Sequence, residues 1–219
     1  MNRKQVRFIL DTIADMFPDA HCELNHSNPF ELLVAVILSA QSTDESVNKI
    51  TANLFQKYKK PEDYLQVSLE ELENDIKRIG LYRNKAKNIR KMCEQLIEKH
   101  GGQVPSTYEE LVALPGVGRK TANVVISNAF GVPAIAVDTH VERVSKRLAL
   151  ANWKDSVLEV EKKLMKKVPK EEWTITHHRL IFFGRYHCKA QKPNCPECPL
   201  LSICREGKKR MKKMNDADE

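Results

Sequence analysis

The sequence predicts an all-α protein, and three observations carry that prediction. Apolar residues recur at i, i+3 and i+4 along most of the chain. Capping residues stand in front of those stripes. A single run, Ala134 to Val137, has strand character, and it is too short to build a sheet. Aromatic residues make up 6% of the chain, which also argues against a sandwich or barrel.

Each element follows from local chemistry. Val6, Ile9, Leu10, Ile13 and Phe17 form the first stripe. Asn28-Pro29 reads as an N-cap with proline at the first helical position, ahead of Phe30, Leu33, Val34, Ile37 and Leu38. Thr43 can cap a helix bearing Val47, Ile50, Leu54 and Tyr58. Ser68 with Glu71, Ser106 with Glu109 and Ser156 with Glu159 each fit a capping box. Gly80, Gly101 and Gly131 sit where helices should end. About ten helices result, with boundaries good to a few residues.

Composition narrows the function. The 219 residues include 36 Lys and Arg against 29 Asp and Glu, a net charge of +7 that favours a polyanionic partner. The longest clean apolar run, Leu32 to Leu38, is far too short to span a bilayer. The basic start at Arg3 and Lys4 is followed by Asp11 and Asp15, so it does not read as a signal peptide. The expectation is a cytoplasmic, monomeric protein. A tail rich in Lys and Arg from Arg205 to Lys213 ends in Asp216, Asp218 and Glu219, and reads as a solvated terminus or a weak nucleic-acid contact.

Four of the six cysteines fall between Cys188 and Cys204, spaced Cys188-x6-Cys195-x2-Cys198-x5-Cys204. In a reducing compartment such a cluster suits a metal site better than disulfides. Four thiolates this close suit zinc or an iron–sulfur cluster, and chemistry alone does not choose. Cys22 and Cys93 read as buried free thiols.

The most informative stretch is Leu111-Val112-Ala113-Leu114-Pro115-Gly116-Val117-Gly118-Arg119-Lys120-Thr121-Ala122. A capped helix ends near Leu114 and a second, with Ala122, Val125, Ile126 and Ala129, starts near Arg119. The two glycines permit positive φ and leave the turn without bulky side chains. Amides of the turn and of the new helix can then face a phosphate. This is the pattern of a helix-hairpin-helix motif, over about residues 107–130, which holds DNA by its backbone without reading sequence. Lys120 lies just inside the second helix. As a nucleophile it would need the neutral amine, which desolvation or a nearby cation favours. Asp138, in Val137-Asp138-Thr139-His140-Val141, stands where an N-cap belongs, and capping makes the carboxylate rigid without excluding a functional role.

Leu-Pro-Gly-Val-Gly-Arg-Lys-Thr-Ala-Asn, then Val-Asp-Thr-His, then the four cysteines, resembles the endonuclease III family of helix-hairpin-helix DNA glycosylases. The resemblance covers nearly the whole chain up to about Arg205. It implies two helical domains with a cleft between them, residues 21–132 holding the hairpin and residues 1–20 with 133–219 holding the cysteine loop 188–204. It implies base-excision repair of duplex DNA in bacteria, at the nucleoid. The enzyme would remove oxidised pyrimidines and cut the abasic site by β-elimination, with Lys120 as nucleophile and Asp138 as catalytic carboxylate.

The resemblance also makes the cysteine spacing that of a [4Fe–4S] cluster, pinning a loop that carries Arg185, Lys189 and Lys192. Gln41 and Leu81 match residues that wedge into the gap left by an extruded nucleotide. Gly116, Val117, Gly118, Arg119 and Thr121 would meet the DNA backbone, as would Lys189 and His140, and Asp44 is a further pocket candidate. Two rival readings remain in view. A monofunctional adenine-type glycosylase shares the hairpin and cluster but lacks Lys120. A non-enzymatic, metal-bearing DNA-binding module needs neither Lys120 nor Asp138.

Overall fold

Helices account for all the regular structure in residues 1–216, the residues that this computed structural model describes; Asp218 and Glu219 of the tail lie outside them. Those residues divide into two compact units. One is Cys22–Val132, and the other joins Met1–His21 to the residues from Pro133 onward.

The Cys22–Val132 unit holds α2 (Pro29–Ser39), α3 (Asp44–Lys57), α4 (Pro61–Leu65), α5 (Leu69–Ile76), α6 (Tyr82–His100), α7 (Tyr108–Val112) and α8 (Arg119–Phe130). Every residue of α2 from Phe30 to Leu38 is buried. A helix apolar on all faces must lie at the centre of its unit, and α2 packs against α3, α6 and α8. Asn28 caps it with its side chain, and Pro29 takes the first position.

The other unit holds α1 (Arg3–Met16), α9 (Thr139–Arg147), α10 (Val157–Lys167), α11 (Trp173–Phe182) and α12 (Arg205–Asn215). A 3-10 turn, Lys170–Glu172, leads into α11, and a π-turn, Phe183–His187, carries its end into the cysteine loop. The core gathers Ile9 and Ile13 of α1, Val141 and Val144 of α9, Val160 and Leu164 of α10, and Leu180 and Phe183. Ala134 to Val137 forms no strand, and its Ile135 and Val137 are buried in this core.

Among the described residues ten of the twelve α-helices have eight residues or more; α4 and α7 are single turns of five. Three local expectations need correction. The first turn of α7 is capped by Thr107, whose hydroxyl accepts the Glu110 N–H at 3.3 Å. Thr107 and Glu110 repeat the Ser106–Glu109 pairing one residue later, in the register that buries Leu111. That helix ends at Val112, two residues short of Leu114. Gly80 closes no helix, since α5 ends at Ile76, and it is Leu81 that turns left-handed, with φ 60°. Gly101 and Gly131 do close α6 and α8 in the left-handed conformation.

Candidate active site

The hairpin is built from α7, α8 and the turn between them. Leu111, Leu114 and Val117 are buried, and the Val117 N–H donates to the Leu114 carbonyl at 3.1 Å, so the apolar residues anchor the turn from beneath. Gly116 adopts φ 77°. A Cβ there would stand 2.9 Å from Cβ of Asn88 on α6, so this glycine is required by both conformation and close approach. Gly118 has an ordinary φ of −91° and caps α8 without a side chain. A Cβ on it would meet open space, so nothing in the protein demands glycine there. The first amides of a helix are unused by its own ladder, and here the side that faces them is left bare.

Arg119 and Lys120 open α8 and are exposed, while Thr121 behind them is half-buried. The Arg119 guanidinium donates to the Tyr108 hydroxyl at 3.1 Å and lies over the same ring, 5.5 Å from its centroid. The pair joins the two arms of the hairpin and aims Arg119 along its rim.

Gln41 and Leu81 lie in the same unit, and their turns touch. A Cβ built on Gly80 would be 3.7 Å from the Gln41 carbonyl oxygen. Both side chains are exposed, Leu81 to 55%. Both residues have left-handed backbone, φ 56° and 60°, which costs about 1–3 kcal/mol for a residue with a Cβ. Asp44 is the first residue of α3, behind its cap Thr43, and is half-buried.

Asp138 belongs to the other unit and is the N-cap of α9. Its Oδ1 accepts the Val141 N–H at 2.8 Å, and its Oδ2 lies 3.0 Å from Nδ1 of His140. The segment before it is held by His177, whose Nδ1 is 2.7 Å from the Ala136 carbonyl oxygen. Burial pushes the neighbouring His178 down to about 3, so its ring is neutral near pH 7.

Helix α9 also secures the cysteine loop. Arg143 donates to the Gly184 carbonyl at 2.7 Å. Arg147, itself buried, donates to the carbonyls of Lys189 at 2.7 Å and Ala190 at 3.0 Å, and to the Cys188 sulfur at 3.4 Å. The exposed Lys189 side chain is thus carried on a backbone held from inside. Gly184 in the π-turn lets this happen, because a Cβ there would be 3.0 Å from His140 Cβ. Cys188, Cys195, Cys198 and Cys204 line one recess. Burial pushes the thiols of Cys195, Cys198 and Cys204 up. Of the two lone cysteines, Cys93 is buried and Cys22 only partly so.

Sequence reasoning missed several residues that matter here. Lys85 is 5% exposed and donates to three acceptors around Gln41. Its signal was available, because 85, 89, 92 and 96 form one apolar stripe of α6 in which Lys85 is the one polar member. Arg147, His177 and Asn88 carried no such signal, since their partners are distant in sequence.

The hairpin, the capped carboxylate and the four-thiol recess define a class of protein. Residues 34–170 match the model of the HhH-GPD superfamily of base excision DNA repair proteins. Endonuclease III of Bacillus subtilis (strain 168) is 74% identical over 213 residues, 97% of each chain. That of Escherichia coli (strain K12) is 50% identical over 204 residues, 93% of this chain and 96% of that one. The solved structure of a trapped endonuclease III–DNA covalent intermediate, an estranged-adenine complex, superimposes with a TM-score of 0.95 at 71% identity, over 96% of this chain and 99% of that one. A thermostable thymine-DNA glycosylase superimposes at 0.82 with 28% identity, over 94% and 98%. The chain belongs to the endonuclease III family of this superfamily.

Proposed function

We propose that the protein is a bifunctional DNA glycosylase and abasic-site lyase acting on oxidised pyrimidines in duplex DNA, with Lys120 as its nucleophile. The observation that carries the reading is the placement of Lys120, an exposed amine in the first turn of α8, directly behind the bare glycine turn. A family member trapped covalently on DNA supports it, because a covalent intermediate requires a protein nucleophile. The monofunctional reading has no use for that amine, and the binding-module reading no use for catalysis.

The chemistry follows from the groups. The hairpin amides hold the phosphates beside the lesion, and the damaged nucleotide turns out of the stack. Gln41 and Leu81 enter the space it leaves. The neutral amine of Lys120 attacks C1′, and the bond from C1′ to the base breaks as the base takes up a proton. The sugar ring opens to an imine on Lys120. Loss of a proton from C2′ then expels the 3′ phosphate by β-elimination. Asp138, held in place by the Val141 N–H and the His140 ring, stabilises cationic character at the sugar and moves protons. The two steps ask for Lys120 and Asp138 at the same deoxyribose.

The cysteine recess suits a [4Fe–4S] cluster. Four thiols line one recess, the donor set such a cluster takes, at the spacing that the family resemblance ties to it. Arg147 and the Gly207 N–H, which donates to the Cys204 sulfur at 3.3 Å, would offset thiolate charge. The bound group would supply cross-linking, not a reacting atom, and the loop it ties down offers Lys189 to the DNA backbone. No helix among the described residues is long and apolar enough to cross a membrane, and the setting that fits is the bacterial cytoplasm, at the nucleoid.

Borohydride tests the amine. Abasic-site duplex incubated with the protein and reductant should yield a covalent adduct, and Lys120→Gln should yield none. A wild-type protein that cuts the site without ever being trapped would sink the mechanism.

A further inference from the structure

A lysine buried away from solvent, with no carboxylate beside it, is uncommon and calls for a reason. Lys85 is such a residue. Its Nζ donates to the carbonyls of Leu38 at 2.9 Å and Ala40 at 2.5 Å, and to the Ser42 hydroxyl at 3.4 Å. These acceptors flank Gln41 on both sides. All three hydrogens of the ammonium are therefore committed to one short segment. The carbonyls belong to the C-terminal end of α2, where a helix presents partial negative charge and a cation is favoured. Burial alone pushes the Lys85 ammonium down, so no acidic partner repays its desolvation.

Lys85 is equally tied to the other turn. It sits in the first turn of α6, and its own N–H donates to the Leu81 carbonyl at 3.1 Å. Beside the direct approach of Gly80 to the Gln41 carbonyl, one side chain thus ties the helix behind Leu81 to the Gln41 segment. Non-glycine residues with positive φ number four among the described residues, and two of them are Gln41 and Leu81. Strain of this kind persists only where surrounding structure over-determines it. The ammonium is the group placed to do that for the Gln41 turn.

We infer that Lys85 is a positioning residue for base extrusion, its buried ammonium lashing the Gln41 turn to the helix that begins at Leu81. The inference rests on the reading of Gln41 and Leu81 as wedges. At 5% exposure, Lys85 is placed to act through the two turns and not on DNA or the reacting atoms themselves. It holds two wedges at one separation, so that both enter the duplex together, and it leaves Lys120 untouched.

The test uses the full-length protein and a duplex with 2-aminopurine opposite a reduced, uncleavable abasic site, where emission rises as the orphaned base leaves the stack. Lys85→Met should blunt that rise and lower kcat on a damaged-pyrimidine duplex by about 10- to 100-fold, with little change in KM. The borohydride adduct of Lys85→Met should still reach the wild-type yield at long times. Val160→Ala, in the core of the other unit, measures what general destabilisation does to the same readouts. Lys85→Gln keeps a donor but loses the charge and one atom of length, and should show a smaller loss of the same kind. Wild-type extrusion by a folded Lys85 variant overturns the inference, as does a loss no larger than that of Val160→Ala. If neither Lys85 variant folds, the ammonium is a folding element and the positioning claim falls. Gln41→Ala and Leu81→Ala form a separate arm, and wild-type emission from both would sink the wedge reading itself.

Discussion

Asp138 does two jobs with two oxygens, and substitution separates them. Oδ1 caps α9 and Oδ2 lies against His140. Asparagine caps a helix about as well as aspartate, so Asp138→Asn should move stability by no more than a few tenths of a kcal/mol. It should nonetheless lose most base excision, measured as release of the damaged base. Asp138→Ala should lose both the activity and about 1 kcal/mol of stability. An asparagine variant that excises normally would reduce Asp138 to a cap. The position of Asp138 between an apolar run and an amphipathic stripe made the cap legible in the sequence. The partnership with His140 was not, because N-cap geometry decides where a side chain two residues on can reach.

His178 carries a prediction in the opposite direction to a salt-bridged histidine. Its value is lowered from 6.5 to about 3 in the folded protein, with burial the main cause and His177 the next. Between those limits the unfolded chain binds a proton that the native one refuses, so the native state loses ground as pH falls. Between about pH 5.5 and 4.5 this amounts to about 1.4 kcal/mol per pH unit. Urea unfolding at those two pH values should show that slope in excess for the wild type over His178→Gln. Equal slopes would show that the ring titrates normally.

At the scale of the element, the hairpin puts two glycines to different uses. Gly116 needs its positive φ and has Asn88 against it, so Gly116→Ala should cost about 1–3 kcal/mol in thermal or urea unfolding. Gly118 has ordinary backbone and open space beside it, so Gly118→Ala should cost less, about 1 kcal/mol or under for a weaker N-cap. If phosphates dock on the turn, Gly118→Ala should still weaken duplex binding, read by fluorescence anisotropy at fixed salt. Equal stability losses would refute the division of labour. The spacing of the motif announced a hairpin, and helix periodicity announced α8. Which glycine bends the chain and which merely clears the way depended on α6 passing beneath the turn, and nothing near residue 116 in sequence reveals that.

At the scale of the whole molecule, the cysteine loop joins the sequence's last third into one unit. Cys188 follows the π-turn, Cys204 caps α12, and Arg143 and Arg147 reach the loop from α9. Cross-linking these by a cluster should stabilise that unit as a body. The purified protein should be yellow-brown with broad visible absorbance, and Cys198→Ser or prolonged iron chelation should bleach it and lower its melting temperature. A colourless wild type holding one zinc per chain would overturn the cluster. Arg119, Lys189 and Lys192 are exposed, and on the proposed function they would set part of the surplus of positive charge against backbone phosphates.

Short-range physics was legible along the chain: helices from periodicity, their starts from Asn28, Thr43, Ser68 and Ser156, and the hairpin from two glycines between apolar anchors. The sequence also carried the four thiols and the family motif that points to Lys120. The tertiary structure decided what depends on residues far apart in the chain. It made Leu81, not Gly80, the left-handed residue, set Lys85 as the tie between two strained turns, and put His177 behind Asp138. The reason is the same in each case. A cap or a periodic stripe is satisfied within one or two turns of helix, whereas a buried charge, a positive φ at leucine or a buried imidazole such as His177 is tolerable only once distant backbone has been brought alongside to satisfy it.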